Sequence, residues 1–123
     1  MKRTVITVDG NGRLSIPSNL EDLRMSESEL IDMLYITAPK LTAVIRAIYK
    51  EGMLSMSEVQ RREELSKGIW QTLYGFPMVV AICFRLNSNG AAQLRDAIIK
   101  RLYGAKEKTN IVLQLYGWTN SFS

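Results

Sequence analysis

Histidine is absent from this chain, and cysteine occurs once, at Cys83. Without an imidazole, the usual Ser-His and Cys-His nucleophile pairs cannot be assembled, and the His-containing zinc sites are excluded with them. A single thiol also excludes an intramolecular disulfide. Because Cys83 lies inside the apolar run MVVAICF, it is expected to pack as a small hydrophobe. No Gly-rich loop ending in Lys-Ser/Thr is present to cradle a nucleotide phosphate. Carboxylates do occur in adjacent pairs, Glu21-Asp22 and Glu63-Glu64. Neighbours on a helix or strand point to different faces, so neither pair converges naturally on one substrate or metal. Ser15, Ser57 and Ser66 have no activating partner in sequence. The expectation is no catalytic residue, no metal and no cofactor: a binding protein, not an enzyme.

Long hydrophobic runs are missing as well. The apolar stretch around Val79 to Leu86 is too short to span a bilayer. Lys2 and Arg3 lead into an alternating pattern rather than a secretory apolar segment. A soluble, cytoplasmic protein with no membrane partner is expected.

What is present suits one domain: 123 residues, 46% of them hydrophobic, are enough to bury a core without staples. The net charge of +4 is unremarked by itself, but its distribution is uneven. Residues 1–37 hold four Lys/Arg against six Asp/Glu, a net of −2, while residues 38–123 hold twelve against six, a net of +6. A chain divided in this way can present one side to phosphates.

The segment Ser26 to Gly52, SESELIDMLYITAPKLTAVIRAIYKEG, predicts two amphipathic helices joined by a tight corner. Ser26 and Glu29 form a capping box for the first, which turns Leu30, Met33 and Leu34 to one face. Tyr35 and Ile36 occupy the corner, Thr37 caps the second helix, and Pro39 stands in its first turn, where a missing N–H costs little. Leu41, Val44, Ile45 and Ile48 then make an apolar stripe. The opposite face carries Lys40, Ala43, Ala47 and Lys50, with Arg46 beside them. Small side chains between long basic ones let a helix sink into a major groove. A plain helical hairpin with a solvated basic face fits the same pattern.

Around this segment, residues 1–20 predict an N-terminal hairpin, with Thr4–Val8 and Arg13–Ile16 flanking Asp9-Gly10-Asn11-Gly12. Residues 18–25 form a polar connection into the first helix. Residues 53–75 are either a second hairpin, turning at Ser66-Lys67-Gly68, or a helix over Glu58 to Leu65. As a hairpin they stand where a wing would, with Arg61, Arg62 and Lys67 able to reach phosphates. Residues 76–104 predict a helical core: an apolar helix opened by Pro77 and running through Leu86, then a helix from Ala91 to about Tyr103. Leu94, Ala97, Ile98 and Leu102 face inward on that last helix, and Arg95, Lys100 and Arg101 outward. Arg85 and Asn87 are candidates for a polar network tying helix ends together. In the tail, 105–123, Thr109–Leu115 reads as a strand, and Trp118 and Phe122 as a possible apolar patch.

The helix ESELIDML, the run AIYKEGML at Ala47–Leu54, and the segment from Ile69 to Tyr103 together resemble the virulence protein RhuM family of small mobile-element proteins. The likeness covers about residues 26–103. It includes Phe84-Arg85-Leu86-Asn87-Ser88 and Gln93-Leu94-Arg95 in place of that family's "YRVNS…QFR" element. At the corner, Tyr35-Ile36-Thr37-Ala38-Pro39 departs from the family's Phe-Gly-Val. The resemblance implies a DNA-binding-like domain associated with horizontally acquired DNA. A shorter likeness, Gly12, Arg13, Ile16 and Pro17, is to swapped-hairpin transcription factors of the AbrB type, and a structural hairpin explains those residues as well.

The sequence thus predicts an α+β helix-turn-helix domain, winged if 53–75 is a hairpin, with an N-terminal β-hairpin and two further C-terminal helices. The expected partner is double-stranded DNA. Lys40, Thr42, Ala43, Arg46 and Ala47 would face bases or phosphates, Lys50 would anchor on the backbone, and Arg61, Arg62 and Lys67 would assist. One such helix reads few base pairs, so a homodimer on two half-sites is expected. The competing expectation is a protein-interaction module of the same fold that leaves DNA alone.

Overall fold

The computed structural model describes residues 3–103. The tail strand expected at Thr109–Leu115, and Trp118 and Phe122, lie outside the described residues. The fold is α+β, with five α-helices and two small antiparallel sheets among the described residues. Its first hairpin joins β1 (Thr7–Val8) to β2 (Leu14–Ser15). The Asp9 carboxylate shapes the turn by accepting the Asn11 and Arg13 N–H groups at 2.8 and 2.9 Å. The ladder is shorter than the alternating residues on either side of the turn suggest.

Residues 18–25 correct an expectation. They are not merely a polar connection: after a 3-10 turn at Leu20–Asp22 they form a strand, β3 (Arg24–Ser26). Leu23 and Met25 are fully buried. The apolar residues of this segment alternate with Arg24, and a half-buried edge strand is the structure that period allows.

Next come α1 (Glu27–Leu34) and α2 (Ala38–Glu51). The capping box at the start of α1 is formed as the sequence predicts. Glu29 N–H donates to Ser26 Oγ at 3.3 Å, and Glu29 Oε1 accepts Ser26 N–H at 2.8 Å. Arg3 adds a forked pair on the same carboxylate, at 2.6 and 3.0 Å, and donates to the Arg24 carbonyl. Burial alone would raise the Glu29 carboxyl. The Arg3 and Ser26 donors outweigh it and hold the group below its ordinary value. At the corner Tyr35 takes φ of +59°. A Cβ in that left-handed region costs about 1–2 kcal/mol, and Tyr35 accepts it where a glycine would not need to.

After a short helix, α3 (Met56–Val59), the chain forms β4 (Gln60–Ser66) and β5 (Ile69–Gly75). The helical alternative for Glu58 to Leu65 is therefore overturned beyond Val59, and the hairpin alternative holds. The Lys67-Gly68 turn decides it: Gly68 adopts φ of +81°, which a hairpin corner needs and a helix forbids. The three strands are ordered β3-β5-β4, all antiparallel, with Met25 opposite Tyr74 and Tyr74 opposite Gln60.

Two helices close the core. In α4 (Phe76–Cys83), Met78, Val79, Ile82 and Cys83 are buried. The helix stops before the predicted Leu86, and α5 (Asn89–Tyr103) starts two residues earlier than predicted. Arg95 does not face outward. Its guanidinium donates to the Cys83 and Leu86 carbonyls, the latter at 2.6 Å, because the end of a buried helix leaves carbonyls that need donors. Ser88 performs a similar task. Its hydroxyl donates to the Leu34 carbonyl at 2.6 Å and accepts Ala91 N–H at 3.1 Å, tying the end of α1 to the start of α5. No helix among the described residues is long and apolar enough to cross a membrane.

Candidate functional site

Helical periodicity divides α2 cleanly. Leu41, Val44, Ile45 and Ile48 are buried against the core, whereas Lys40, Thr42, Ala43, Arg46 and Lys50 are exposed. Ala47 is half-buried at the boundary. The helix begins where Thr37 Oγ1 accepts Lys40 N–H at 3.4 Å. The six α2 positions singled out from the sequence are therefore held on one continuous surface and its margin.

The β4–β5 hairpin stands beside this surface. Its register determines which of its cations faces α2, and one irregularity sets that register. Ser66 lies opposite Ile69, but a bulge at Leu65 places Glu64 opposite Trp70 and Arg62 opposite Thr72. Arg62 therefore shares a sheet face with Gln60, Glu64, Trp70, Thr72 and Tyr74. Without the bulge, Arg61 would lie opposite Tyr74 and the two arginines would exchange faces. Gln60 and Tyr74 show which side this is: with Thr42, Ile45, Arg46 and Tyr49 of α2, and with Glu27 and Met56, they line a shallow concavity of about 210 Å³. Tyr49 O–H donates to Gln60 Oε1 at 2.7 Å and braces the helix against the strand. Burial raises the Tyr49 hydroxyl, and burial together with the Glu27 charge pushes Tyr74 up to about 12, so both remain neutral donors near pH 7.

Farther along the same face, the Arg62 guanidinium lies 5.3 Å from the Trp70 ring centroid, within cation-π range. Arg61 points from the opposite face, and Lys67 stands in the turn. The structure thus brings Arg62 onto the α2 side with Arg46, and leaves Arg61 apart from them.

Charge partners separate this region from the rest of the described fold. Arg3 and Arg24 donate to Glu29 or to backbone carbonyls, and Arg95 and Arg101 donate to carbonyls. Arg85 pairs with Glu51 and Lys100 with Asp96. Among the described residues, the cations whose side chains make neither a hydrogen bond nor a salt bridge are Arg13, Lys40, Arg46, Lys50, Arg61, Arg62 and Lys67. All but Arg13 belong to α2 or the β4–β5 hairpin.

Sequence reasoning missed Glu27, Tyr49, Gln60, Trp70 and Tyr74. Tyr49 carried a usable signal, since it follows Arg46 by three positions and so borders the exposed stripe. The others carried none, because the bulge and the packing of hairpin on helix bring them there. Of Arg85 and Asn87, Arg85 does tie helix ends, pairing with Glu51 at the last residue of α2, whereas Asn87 is exposed; Arg95 and Ser88 make the other ties. No protein-family model, curated protein or solved structure matches this chain.

Proposed function

We propose that this protein binds double-stranded DNA as a winged helix-turn-helix domain, without catalysis. In this reading α1 and α2 are the helix-turn-helix, α2 is the helix that enters the major groove, and β4–β5 is the wing. The observation that carries it is the concentration of unpartnered cations on α2 and the hairpin. Elsewhere among the described residues every cation but Arg13 satisfies a carbonyl or a carboxylate; here they are left for an external anion. A regularly spaced polyanion is the ligand that such a helix and hairpin fit together.

The roles follow from position. Thr42, Ala43 and Ala47 are small enough to let the α2 backbone approach base edges. Lys40, Arg46 and Lys50 reach phosphates or base edges from the same stripe, and Arg62 and Lys67 extend the cationic surface along the wing. Arg3, forked on Glu29 of α1 and 4.0 Å from Glu63 of the wing, and the Tyr49–Gln60 bond between α2 and the wing tie these elements together, which limits the ordering cost of binding. The domain reads few base pairs alone, so a homodimer on two half-sites is the expected DNA-bound form. The resemblance of residues 26–103 to the RhuM family points to the same class of partner, as an accessory factor of mobile elements or their transcription.

Fluorescence anisotropy with random-sequence duplex DNA across a salt series tests the reading. The expected result is binding that weakens steeply with salt, and is largely lost in the Lys40→Ala/Arg46→Ala/Lys50→Ala variant. Absence of binding at low salt, or indifference to the triple change, refutes DNA binding through α2 and leaves protein interaction as the leading function.

A further inference from the structure

The strand order β3-β5-β4 leaves β4 at the edge of its sheet. Its inner side pairs with β5; on its outer side no backbone hydrogen bond reaches it from another described element. An open row of N–H and C=O groups is a template for a further strand, which proteins commonly blunt with proline, lysine or extreme shortness. β4 has neither proline nor lysine and is seven residues long. The bulge at Leu65 ends its regular stretch, leaving the ladder Gln60-Arg61-Arg62-Glu63-Glu64.

Two arginines followed by two glutamates complement themselves when the strand is laid antiparallel against a copy. Antiparallel pairing of identical edges needs a two-fold axis perpendicular to the sheet, and such an axis keeps every residue on its own face. Residues directly opposite then share a face, so the pivot falls on a residue and not between two. With the pivot at Arg62 the whole regular stretch pairs, Gln60 opposite the partner's Glu64 and Arg61 opposite the partner's Glu63. The two Arg62 side chains meet at the axis, where each is drawn over its own Trp70 and has the partner's Glu64 on the diagonal. A pivot at Glu63 would instead set Arg61 against Leu65 inside the bulge and glutamate against glutamate.

Arg61 supplies the reason for such a partner. It is exposed, its side chain has no hydrogen bond or salt bridge among the described residues, and it lies on the face away from α2, where DNA contact through that helix leaves it idle. Glu63 shares this face. Its carboxylate lies 4.0 Å from Arg3 and accepts the Gln71 amide at 2.9 Å, so it is held in place at the edge. We infer that β4 pairs with β4 of a second copy, antiparallel about a two-fold axis at Arg62 and joined by two Arg61–Glu63 ion pairs. The product is a continuous six-stranded sheet with both α2 helices on the same side. The inference rests on the homodimer of the DNA-binding reading and supplies its interface. Exposed ion pairs are screened by salt and an edge ladder buries little surface, so free dimers should form at high protein concentration and low salt.

Sedimentation velocity on the full chain without DNA tests the pairing. In a dimer Arg61→Glu sets glutamate opposite glutamate twice, and Glu63→Arg sets arginine opposite arginine twice. Each variant alone should weaken self-association by about tenfold or more, with a thermal midpoint near wild type. Mixed in equal amounts, the two regain both attractive pairs and should form the heterodimer, and the Arg61→Glu/Glu63→Arg double variant should dimerise by itself. If Glu63→Arg fails to fold beside Arg3, Arg61→Glu decides alone, since its changed side chain is exposed. A wild type that stays monomeric to its solubility limit at low salt overturns the interface. So do dimers that persist in Arg61→Glu, or folded variants that fail to recover in the mixture. Dimers without affinity for duplex DNA would remove the DNA reading and keep the edge pairing; DNA binding through α2 by a chain that never pairs does the reverse.

Discussion

Arg95 and Arg46 are both basic residues on amphipathic helices, and the fold uses them in opposite ways. Arg95 bridges the Cys83 and Leu86 carbonyls at the end of the most buried helix, whereas Arg46 extends from α2 with no partner among the described residues. The contrast extends to their neighbours. On the α4–α5 side Arg85, Lys100 and Arg101 reach a carboxylate or a carbonyl, while Lys40, Lys50 and Lys67 reach none. Helix-end carbonyls need donors once water is excluded, so cations there contribute to stability. Cations left unpaired stabilise nothing within the chain and repel one another slightly, which makes their clustering informative about an outside partner.

The comparison breaks most severely at Gly90, where α5 meets the end of α1. An added Cβ would lie 2.6 Å from the Leu34 carbonyl oxygen and closer still to that of Met33, all backbone that cannot swing aside. Gly90→Ala should destabilise the fold by about 3 kcal/mol or more, read by urea denaturation. Arg95→Ala should cost about 1–3 kcal/mol in the same assay by leaving two carbonyls short of donors, whereas Arg46→Ala should stay within about 0.5 kcal/mol of wild type. Equal losses for the two arginines would erase the distinction between structural and available cations.

At the corner, Tyr35→Gly should raise stability by about 1 kcal/mol, since a glycine adopts the left-handed conformation without the strain of a Cβ. A loss instead would mean that the ring, 84% exposed, contributes contacts in solution.

The smallest effect concerns pH. The folded Glu29 carboxyl is held below its ordinary value of 4.5, so its contribution is fully present above that pH and fades as pH falls through the lowered folded value. Arg3→Ala should reduce this acid sensitivity, read as a smaller difference in melting temperature between pH 6 and pH 3. The Cys83 thiol supplies a control on the buried side. Burial pushes it up to about 12, so its reaction with a disulfide reagent at neutral pH should follow unfolding, while α2 variants leave that rate unchanged.

Much of the helical architecture was legible because its signals are local. Ser26 with Glu29, Thr37 with Pro39, and the Leu41, Val44, Ile45 and Ile48 stripe each act within one or two turns of helix, and the structure forms each as read. The segment 18–25 reads as a connection because its strand is short and its pairing partner, β5, lies about fifty residues on. Arg95 reads as outward because it is a cation outside the Leu94, Ala97, Ile98 and Leu102 stripe; only the nearby end of α4 gives it an inward task. The placement of the hairpin's arginines was illegible for a sharper reason. A regular turn at Lys67-Gly68 would place Arg61 on the α2 face, and the extra residue at Leu65 places Arg62 there instead.

Sequence alone determined the two amphipathic helices, their caps, the burial of Cys83 and which α2 residues stay outside, because hydrophobic periodicity and capping operate between residues a few positions apart. Tertiary structure alone decided that β3 closes the sheet, that Arg95 serves the core, and that Arg62 on Trp70 joins Arg46 on one surface. Those outcomes depend on strand register and on helix ends that meet only after the chain has folded, and a shift of one residue in a ladder is enough to turn every side chain to the other face.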